Sequence, residues 1–119
     1  MERGAEEEYV LETALFLEKS SKKNKAAIWN VLADKLRKPR RQRVEINLEK
    51  INANSADNGT VVVPGKVLGT GVLEHKVTIG ALKYSASVAE KVKRAGGELV
   101  DLKKLVEKNP KGTDVKILQ

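Results

Sequence analysis

The sequence predicts an α/β fold, namely a single compact domain in which strands and helices alternate irregularly, preceded by two amino-terminal helices. Apolar residues recur at helical spacing through the first 36 residues, and apolar and polar residues then alternate from Val44 onward. Helix and strand patterns exchange places along the remaining chain, which is typical of the α/β class. The 119 residues fit one domain, with a helical part at 1–43 and an α/β core at 44–119.

Two amphipathic helices are predicted at the amino terminus. The first covers roughly residues 6–19, and its apolar stripe consists of Val10, Leu11, Ala14 and Leu17. The second lies between Asn24, its predicted amino-terminal cap, and Pro39, which ends it. Its apolar face consists of Ile28, Trp29, Leu32 and Leu36.

The first predicted strands follow the change of spacing at Val44. Alternation through Val44, Ile46 and Leu48 predicts a strand with one buried face, and the polar run NANSADNG predicts a turn. The segment TVVVP predicts a short buried strand that ends at Pro64. The next segment, GKVLGTG, contains three glycines and predicts a tight, exposed path.

The carboxy-terminal half continues this alternation of elements. A strand is predicted from Val77 to Leu82, and a helix follows it with a capping box at Ser87–Glu90 and an end at Gly96 and Gly97. The remaining elements are a strand at 98–100, a short helix at 102–106 that ends at Asn109 and Pro110, and a strand around 115–117.

Charge is distributed unevenly along the chain. The formal net charge of +7 comes from 23 basic and 16 acidic residues. Residues 1–18 carry one basic and six acidic side chains, whereas residues 19–43 carry ten basic side chains and a single acidic one. Such opposed blocks indicate an interaction surface for a polyanion, either a nucleic acid or an acidic membrane.

The basic block contains two clusters, one before the second helix and one after it. The first consists of Lys19, Lys22, Lys23 and Lys25, and the second of Arg37, Lys38, Arg40, Arg41 and Arg43. Acidic partners at i+4 spacing are nearly missing, and the planar arginine fork matches phosphate geometry. The four aromatic residues are scattered and lie mostly at apolar positions of the pattern. We therefore expect the protein to recognise the phosphates and the shape of a nucleic acid rather than to stack on its bases.

Several classes of protein are excluded by composition. The chain has no cysteine, so it has no disulfide scaffold, thiolate zinc site or cysteine nucleophile, and one histidine cannot form a multi-histidine metal site. Its longest run of bulky aliphatics is Val61–Val63, far below the roughly 20 residues of a membrane span. The acidic amino terminus is unlike a signal peptide, so we expect a soluble intracellular protein.

The glycine segment and His75 are the remaining candidates for chemistry. The spacing of Gly65, Gly69 and Gly71 matches neither a dinucleotide fingerprint nor a Walker loop, since Val67 follows Gly65-Lys66. The segment is therefore either a turn between strands or a loop whose backbone approaches RNA. His75 is interpreted as a partly buried or RNA-contacting residue, because the sequence offers it no catalytic partner.

Four segments resemble the archaeal and eukaryotic family of large-subunit ribosomal protein eighteen, whose superfamily includes the bacterial large-subunit protein fifteen. These segments are SSKKNKAAIW, KPRRQRVEINLEKIN, TVVVPGKVLGTGVLEHKVTIGALKYSASVAEKVKRAGGE and NPKG. The resemblance covers roughly residues 20–118. It implies a structural ribosomal component with an irregular α/β fold, no cofactor and no catalytic activity. The family's longer eukaryotic carboxy-terminal extension is missing, so the chain resembles the archaeal members.

The resemblance also implies partners and binding residues. The implied partners are large-subunit ribosomal RNA and neighbouring ribosomal proteins in the cytoplasm, with no membrane and no small-molecule substrate. The family's basic motif matches residues 37–43, its glycine loop matches residues 64–71, and its lysine stretch matches Lys22, Lys23 and Lys25. The predicted RNA-binding residues are Lys22, Lys23, Lys25, Arg37, Lys38, Arg40, Arg41, Arg43, Gly65, Lys66, Gly69, Gly71, His75 and Lys76.

Two other functions compete with this hypothesis. One is a non-ribosomal nucleic-acid-binding regulator, which would usually offer a recognition helix or a dimer interface, and the sequence indicates neither. The other is a small nucleotide-binding enzyme that uses GKVLGTG, against which the glycine spacing argues.

Overall fold

The computed structural model describes residues 3–38 and 44–119, with side chains from residue 8 onward. The helices are α1 (Arg3–Asn24), α2 (Ala27–Leu36), α3 (Leu48–Asn54), α4 (Ala86–Arg94) and α5 (Leu102–Lys108). The strands are β1 (Val44–Asn47), β2 (Gly59–Leu68), β3 (Val77–Tyr84), β4 (Glu98–Asp101) and β5 (Val115–Ile117). Two helices thus precede a mixed α/β region, and the predicted fold class is confirmed.

The described residues form two compact units. The first contains α1, α2 and the segment Lys103–Thr113, which holds most of α5. The second contains Val44–Leu102 and Asp114–Gln119, and therefore all five strands with α3 and α4. The division of the sequence into a helical part at 1–43 and a core at 44–119 stays a prediction.

The first unit is built on the packing of α1 against α2. Apolar residues of both helices are buried, and the largest of them are Leu17, Trp29, Leu32 and Leu36. The Lys103 ammonium lies 5.9 Å from the centroid of the Phe16 ring, which is within the range of a cation–π contact. Trp29, Leu32 and Leu36 of the predicted second face are buried, and Ile28 is half-buried. The predicted stripe of the first helix is wrong at Leu11, which is 48% exposed, because the buried face of α1 follows the spacing Val10, Thr13, Ala14 and Leu17.

The second unit contains a five-stranded sheet in which every pairing is parallel. The strand order is β1-β2-β3-β4, and β5 also pairs with β2. β5 pairs with Thr60–Val62, in the first half of β2, and β1 pairs with Gly65–Leu68, in its second half. Parallel neighbours need crossover connections, which α3 supplies between β1 and β2 and α4 supplies between β3 and β4.

The core of the second unit joins the sheet to its two crossover helices. Its buried members are Ile46, Leu48, Ile51, Val61, Val63, Val67, Leu73, Val77, Ile79, Ala81, Val88, Val92 and Leu118. The runs of β-branched residues in β2 and β3 fit a strand with neighbours on both edges. The carboxyl ends of β1, β2 and β3 meet at Asn47, Leu68 and Tyr84, because Asn47 pairs with Leu68 and Tyr84 pairs with Val67.

Two predictions about the early elements are wrong. Asn24 is not a cap of the second helix, because α1 continues to Asn24 and the cap position of α2 is Ala26, which makes no side-chain cap. Leu48 is not in a strand and NANSADNG is not all turn, because α3 begins at Leu48 and buries Leu48 and Ile51 at helical spacing. Alternation over five residues cannot distinguish a strand from a strand followed by a helix.

Two later boundaries also differ from the prediction. β2 continues through Pro64 to Leu68. Its register with β3 shifts between Val63 and Lys66, on either side of Pro64. Such a bulge accommodates proline, which has no N–H to donate to the sheet. The segment GKVLGTG is thus partly strand, and Gly65 and Val67 are buried. The capping box is wrong as well, since Ser85 rather than Ser87 occupies the cap position of α4.

Candidate nucleic-acid interface

The carboxyl end of α1 carries the first predicted basic cluster. Lys22 and Lys23 lie in its last turn, and Lys19 lies one turn earlier; all three are exposed. Cations are favourable there because the unpaired carbonyls of a helix end carry partial negative charge. The helix that the sequence predicts to stop near residue 19 instead continues to Asn24, and its last turn bears the lysines.

Lys25 ends this helix in an unusual backbone conformation. Its φ of 53° lies in the left-handed region, and the Ala26 N–H donates a 3.1 Å hydrogen bond to the Ser21 carbonyl. This six-to-one bond is the Schellman motif, whose left-handed position is usually occupied by glycine. A lysine is therefore held, exposed, at a position where its own side chain disfavours the backbone conformation.

A second segment of the first unit adds a cation to this helix end. The Lys111 ammonium donates a 3.1 Å hydrogen bond to the carbonyl oxygen of Asn24, the last residue of α1. Lys111 is absent from the predicted site, although it belongs to the NPKG segment that carries part of the family resemblance. The family resemblance of the NPKG segment could have drawn attention to Lys111, but nothing in the sequence indicates that this segment contacts Asn24.

The second basic cluster is described only in part. Arg40, Arg41 and Arg43 lie outside the described residues. Arg37 follows α2, is exposed, and forms a 2.7 Å ion pair with Glu18 of α1. Lys38 is exposed beside it. Glu18 is an acidic partner that the sequence spacing did not reveal, because it lies 19 positions from Arg37.

The three glycines of the predicted loop lie in different environments of the second unit. Gly65 is inside β2, where an added Cβ would lie 2.0 Å from the Val44 carbonyl oxygen. Gly69 follows β2, and its added Cβ would meet the Ser87 hydroxyl at 2.0 Å. Gly71 has a φ of 98°, and its added Cβ would meet backbone and side-chain atoms of Glu49 within 3 Å.

Lys91 holds the loop from α4. Its ammonium donates hydrogen bonds to the carbonyl oxygens of Gly69 and Gly71, the latter at 3.0 Å. The Glu49 N–H at the start of α3 donates a 3.1 Å hydrogen bond to the Thr70 carbonyl oxygen. The loop is consequently anchored by both helices, while Thr70 and Val72 are exposed. Close packing against Val44, Ser87 and Glu49 requires a small residue at all three glycine positions, and the approach of this loop to RNA stays a prediction.

His75 and Lys76 follow this loop and are tied to the turn after α3. His75 is half-buried, and its Nε2 lies 2.9 Å from the Ser55 hydroxyl. The Lys76 N–H donates a 3.2 Å hydrogen bond to Asp57 Oδ1, while the Lys76 side chain is exposed. Lys66 is half-buried in β2, where its register partners are Glu45 of β1 and Lys83 of β3.

The predicted site residues thus divide between the two units. In the first unit, the structure brings the lysines at the end of α1 together with Lys111. In the second unit, the glycine segment is gathered with α3 and α4. Within the described ranges, 3–38 and 44–119, no three metal-ligating side chains converge and no helix is long and apolar enough to cross a membrane.

Comparison with known proteins gives consistent results. The model of a family described as ribosomal proteins 50S-L15, 50S-L18e and 60S-L27A matches residues 23–100. The large ribosomal subunit protein eL18 of Methanothermobacter thermautotrophicus is 46% identical over 103 residues, which cover 87% of this chain and 85% of that protein. The proteins of the same name from Halobacterium salinarum and Pyrobaculum aerophilum are 46% and 45% identical, over 79% and 88% of this chain and 80% and 86% of their own lengths.

Proposed function

We propose, because this chain belongs to the family of ribosomal proteins 50S-L15, 50S-L18e and 60S-L27A, that it is a structural constituent of the large ribosomal subunit. In this proposal it resides in the cytoplasmic ribosome, contacts neighbouring ribosomal proteins and binds ribosomal RNA through phosphate contacts. It uses no cofactor and catalyses no reaction. The contacts come from the two basic clusters, from the glycine loop and from its flanking residues Lys66, His75 and Lys76.

The observation that carries the proposal is the concentration of cations at the end of α1. Three exposed lysines, Lys22, Lys23 and Lys25, lie within four residues of one another, and Lys25 occupies a left-handed position. Gathering like charges is unfavourable, and a lysine is a poor residue for that backbone conformation. Binding to a closely spaced row of phosphates would offset the charge repulsion and the backbone strain. The phosphates neutralise the lysines, and each neutralised phosphate releases a counterion, which favours binding.

The second cluster contributes through arginine chemistry. Arg37, Arg40, Arg41 and Arg43 lie within seven residues around a proline. A guanidinium donates two parallel hydrogen bonds to one phosphate and stays charged at any physiological pH. In the proposed complex, these arginines set the position of the protein on the RNA backbone without reading its bases.

The glycine loop supports the proposal in a different way. Its anchoring by Lys91 and Glu49 gives a fixed backbone, and the exposed Thr70 and Val72 lie at its surface. A rigid loop with small residues can approach an RNA backbone closely without losing conformational entropy on binding. Lys66 lies beside Gly65 at the start of this loop and Lys76 follows the loop, and the half-buried His75 is already bonded to Ser55.

The salt dependence of RNA binding tests the proposal. We expect the full-length chain to bind protein-free large-subunit ribosomal RNA with a slope of log K against log salt of about −4 to −5, for about six phosphate contacts. The variant Arg40→Ala/Arg41→Ala is expected to bind more weakly and to reduce this slope by between 1 and 2. The matched control Lys93→Ala/Arg94→Ala, which removes two cations from α4, is expected to change the slope little.

Two outcomes would contradict the proposal. If the wild-type chain and the Arg40/Arg41 variant show equal slopes of log K against log salt, these arginines do not contact phosphates. A chain that leaves the large subunit in a moderate-salt wash, while it still binds unrelated nucleic acids, would instead indicate a free nucleic-acid-binding regulator. Sedimentation of washed subunits from cells that express the tagged chain distinguishes these results.

A further inference from the structure

We propose that Lys111 completes a phosphate-binding site at the end of α1, and that the turn Asn109–Thr113 is the element that positions it. This inference rests on the proposed function and adds to it a residue from a distant part of the chain. The ligand is a stretch of RNA backbone, in which Lys111 binds one phosphate and Lys22, Lys23 and Lys25 bind adjacent ones.

The first step of the argument is the location of the Lys111 ammonium. It lies 3.1 Å from the carbonyl oxygen of Asn24, although the two residues are 87 positions apart in the sequence. Asn24 lies between Lys23 and Lys25, so this bond adds a fourth cation to the group formed by Lys22, Lys23 and Lys25. An ammonium has three N–H donors, and the bond to Asn24 uses one of them. Because Lys111 is exposed, the remaining donors can reach a ligand.

The turn that carries Lys111 is anchored on both sides of it. The indole N–H of the fully buried Trp29 donates a 2.8 Å hydrogen bond to the Pro110 carbonyl oxygen. The Asn109 side chain closes the turn, since its amide donates to the Thr113 carbonyl oxygen at 2.8 Å and accepts from the Thr113 N–H at 3.2 Å. A lysine on a fixed turn loses less entropy on binding than one on a mobile loop.

Gly112 shows that this turn packs closely on α2. Its φ of 67° lies in the left-handed region, and an added Cβ would lie 2.4 Å from Ile28 Cγ2. The two residues that flank Lys111 are therefore held, one by a hydrogen bond from Trp29 and the other by contact with Ile28. The constraints on Pro110 and Gly112 therefore fix the backbone position of Lys111, from which its side chain extends.

The charge balance at this helix end indicates an anionic ligand. The carbonyl end of a helix carries about half a negative charge, which one cation can satisfy. Four lysines exceed that charge several-fold, and the segment 109–113 contributes a cation and no acidic residue. Like charges brought together repel one another. A polyanion that binds all four relieves this repulsion, and RNA is the polyanion of the proposed function.

Binding of the full-length chain to protein-free large-subunit ribosomal RNA tests the inference. For Lys111→Gln we expect affinity to fall about fivefold at 0.1 M salt and the slope of log K against log salt to decrease by about 0.7 to 0.9, the loss of one phosphate contact. Lys111→Arg is expected to retain both quantities. Lys93→Gln, which removes one exposed cation from α4, is the matched control and is expected to change neither.

A charge-neutral variant tests the positioning role. Trp29→Phe removes the hydrogen bond to Pro110 and leaves the net charge unchanged. We expect it to reduce the slope as Lys111→Gln does, and we expect no additional loss when the two substitutions are combined. If Trp29→Phe shows no cooperative thermal unfolding, Asn109→Ala replaces it, because that substitution opens the turn from its surface.

The outcomes separate this inference from the proposed function. If Lys111→Gln behaves like Lys93→Gln while Arg40→Ala/Arg41→Ala weakens binding, the inference about Lys111 is overturned and the proposed function stands. If the wild-type chain shows no salt-dependent RNA binding, the proposed function fails, and the Lys111 site fails with it. An effect of Lys111→Gln without any effect of the turn variants would overturn the positioning role alone.

Discussion

The Lys91 ammonium donates a 3.0 Å hydrogen bond to the carbonyl oxygen of Gly71, and a second hydrogen bond to that of Gly69. A cation on α4 therefore holds a loop that the sequence marks only by its glycines. Lys91 is half-buried, whereas its neighbour Lys93 is exposed. Of these two lysines on α4, only Lys91 makes this contact with the glycine loop.

Lys91 is expected to stabilise the second unit. Lys91→Met should lower the free energy of unfolding by about 1 to 2 kcal/mol, because two carbonyls lose a charged hydrogen-bond donor. Lys93→Met is the control and should change it by less than about 0.5 kcal/mol. Urea denaturation measures both values, and equal losses in the two variants would show that the Lys91 bonds contribute nothing specific.

Gly71 and Gly69 are expected to differ in their tolerance of alanine. Gly71→Ala should cost about 2 to 4 kcal/mol, since alanine is strained at a φ of 98° and its Cβ would overlap the backbone of Glu49. Gly69→Ala should cost less than about 1.5 kcal/mol, because the nearest atom is the Ser87 hydroxyl, which can rotate away. Thermal unfolding compares the two, and similar losses would contradict the assigned contacts.

Glu18 is expected to compete with RNA for Arg37. Glu18→Gln breaks the 2.7 Å ion pair, and because both side chains are about a third exposed, the stability loss should be below about 1 kcal/mol. The freed guanidinium should raise RNA affinity about fivefold at 0.1 M salt. Glu90→Gln breaks the exposed pair with Arg94 on α4 with the same change of charge, and it should leave RNA affinity nearly unchanged. Equal gains for both variants would assign the effect to net charge.

Lys25 is expected to contribute to binding at the expense of stability. Lys25→Gly should raise the free energy of unfolding by up to about 1 kcal/mol, because glycine suits a φ of 53°, and it should still weaken RNA binding. Lys22→Gly removes the same charge from the last turn of α1, where the backbone is helical, and should lower stability by up to about 1 kcal/mol. Chemical denaturation and RNA titration together check these opposite signs, and a destabilised Lys25→Gly variant would be inconsistent with the strained backbone.

Local signals explain how far the elements were predictable. The strand from Val77 and the helices around Trp29 and Val88 follow from apolar spacing, and Gly96 marks the end of α4 with a φ of 80°. The errors at Asn24, Leu48 and Pro64 have a common cause. Each residue is compatible with two local structures, and packing or register with a distant strand decides between them.

The charged surface was predictable in composition and not in arrangement. The sequence shows that Lys22, Lys23 and Lys25 form a cluster, because they are neighbours. It does not show that Glu18 pairs with Arg37, since that contact needs α1 and α2 to pack side by side. Nor does it show that Lys111 lies beside the cluster, because Lys111 and Asn24 are 87 positions apart.

By itself, the sequence determined the fold class, the order of most elements and the segregation of acidic from basic residues, because periodicity and charge are local properties of the chain. Only the tertiary structure decided which lysines bind the protein's own carbonyls and which glycines are required by close packing. The physical reason is that hydrogen bonds and steric contacts depend on distances of a few ångströms between atoms that are tens of residues apart in the chain.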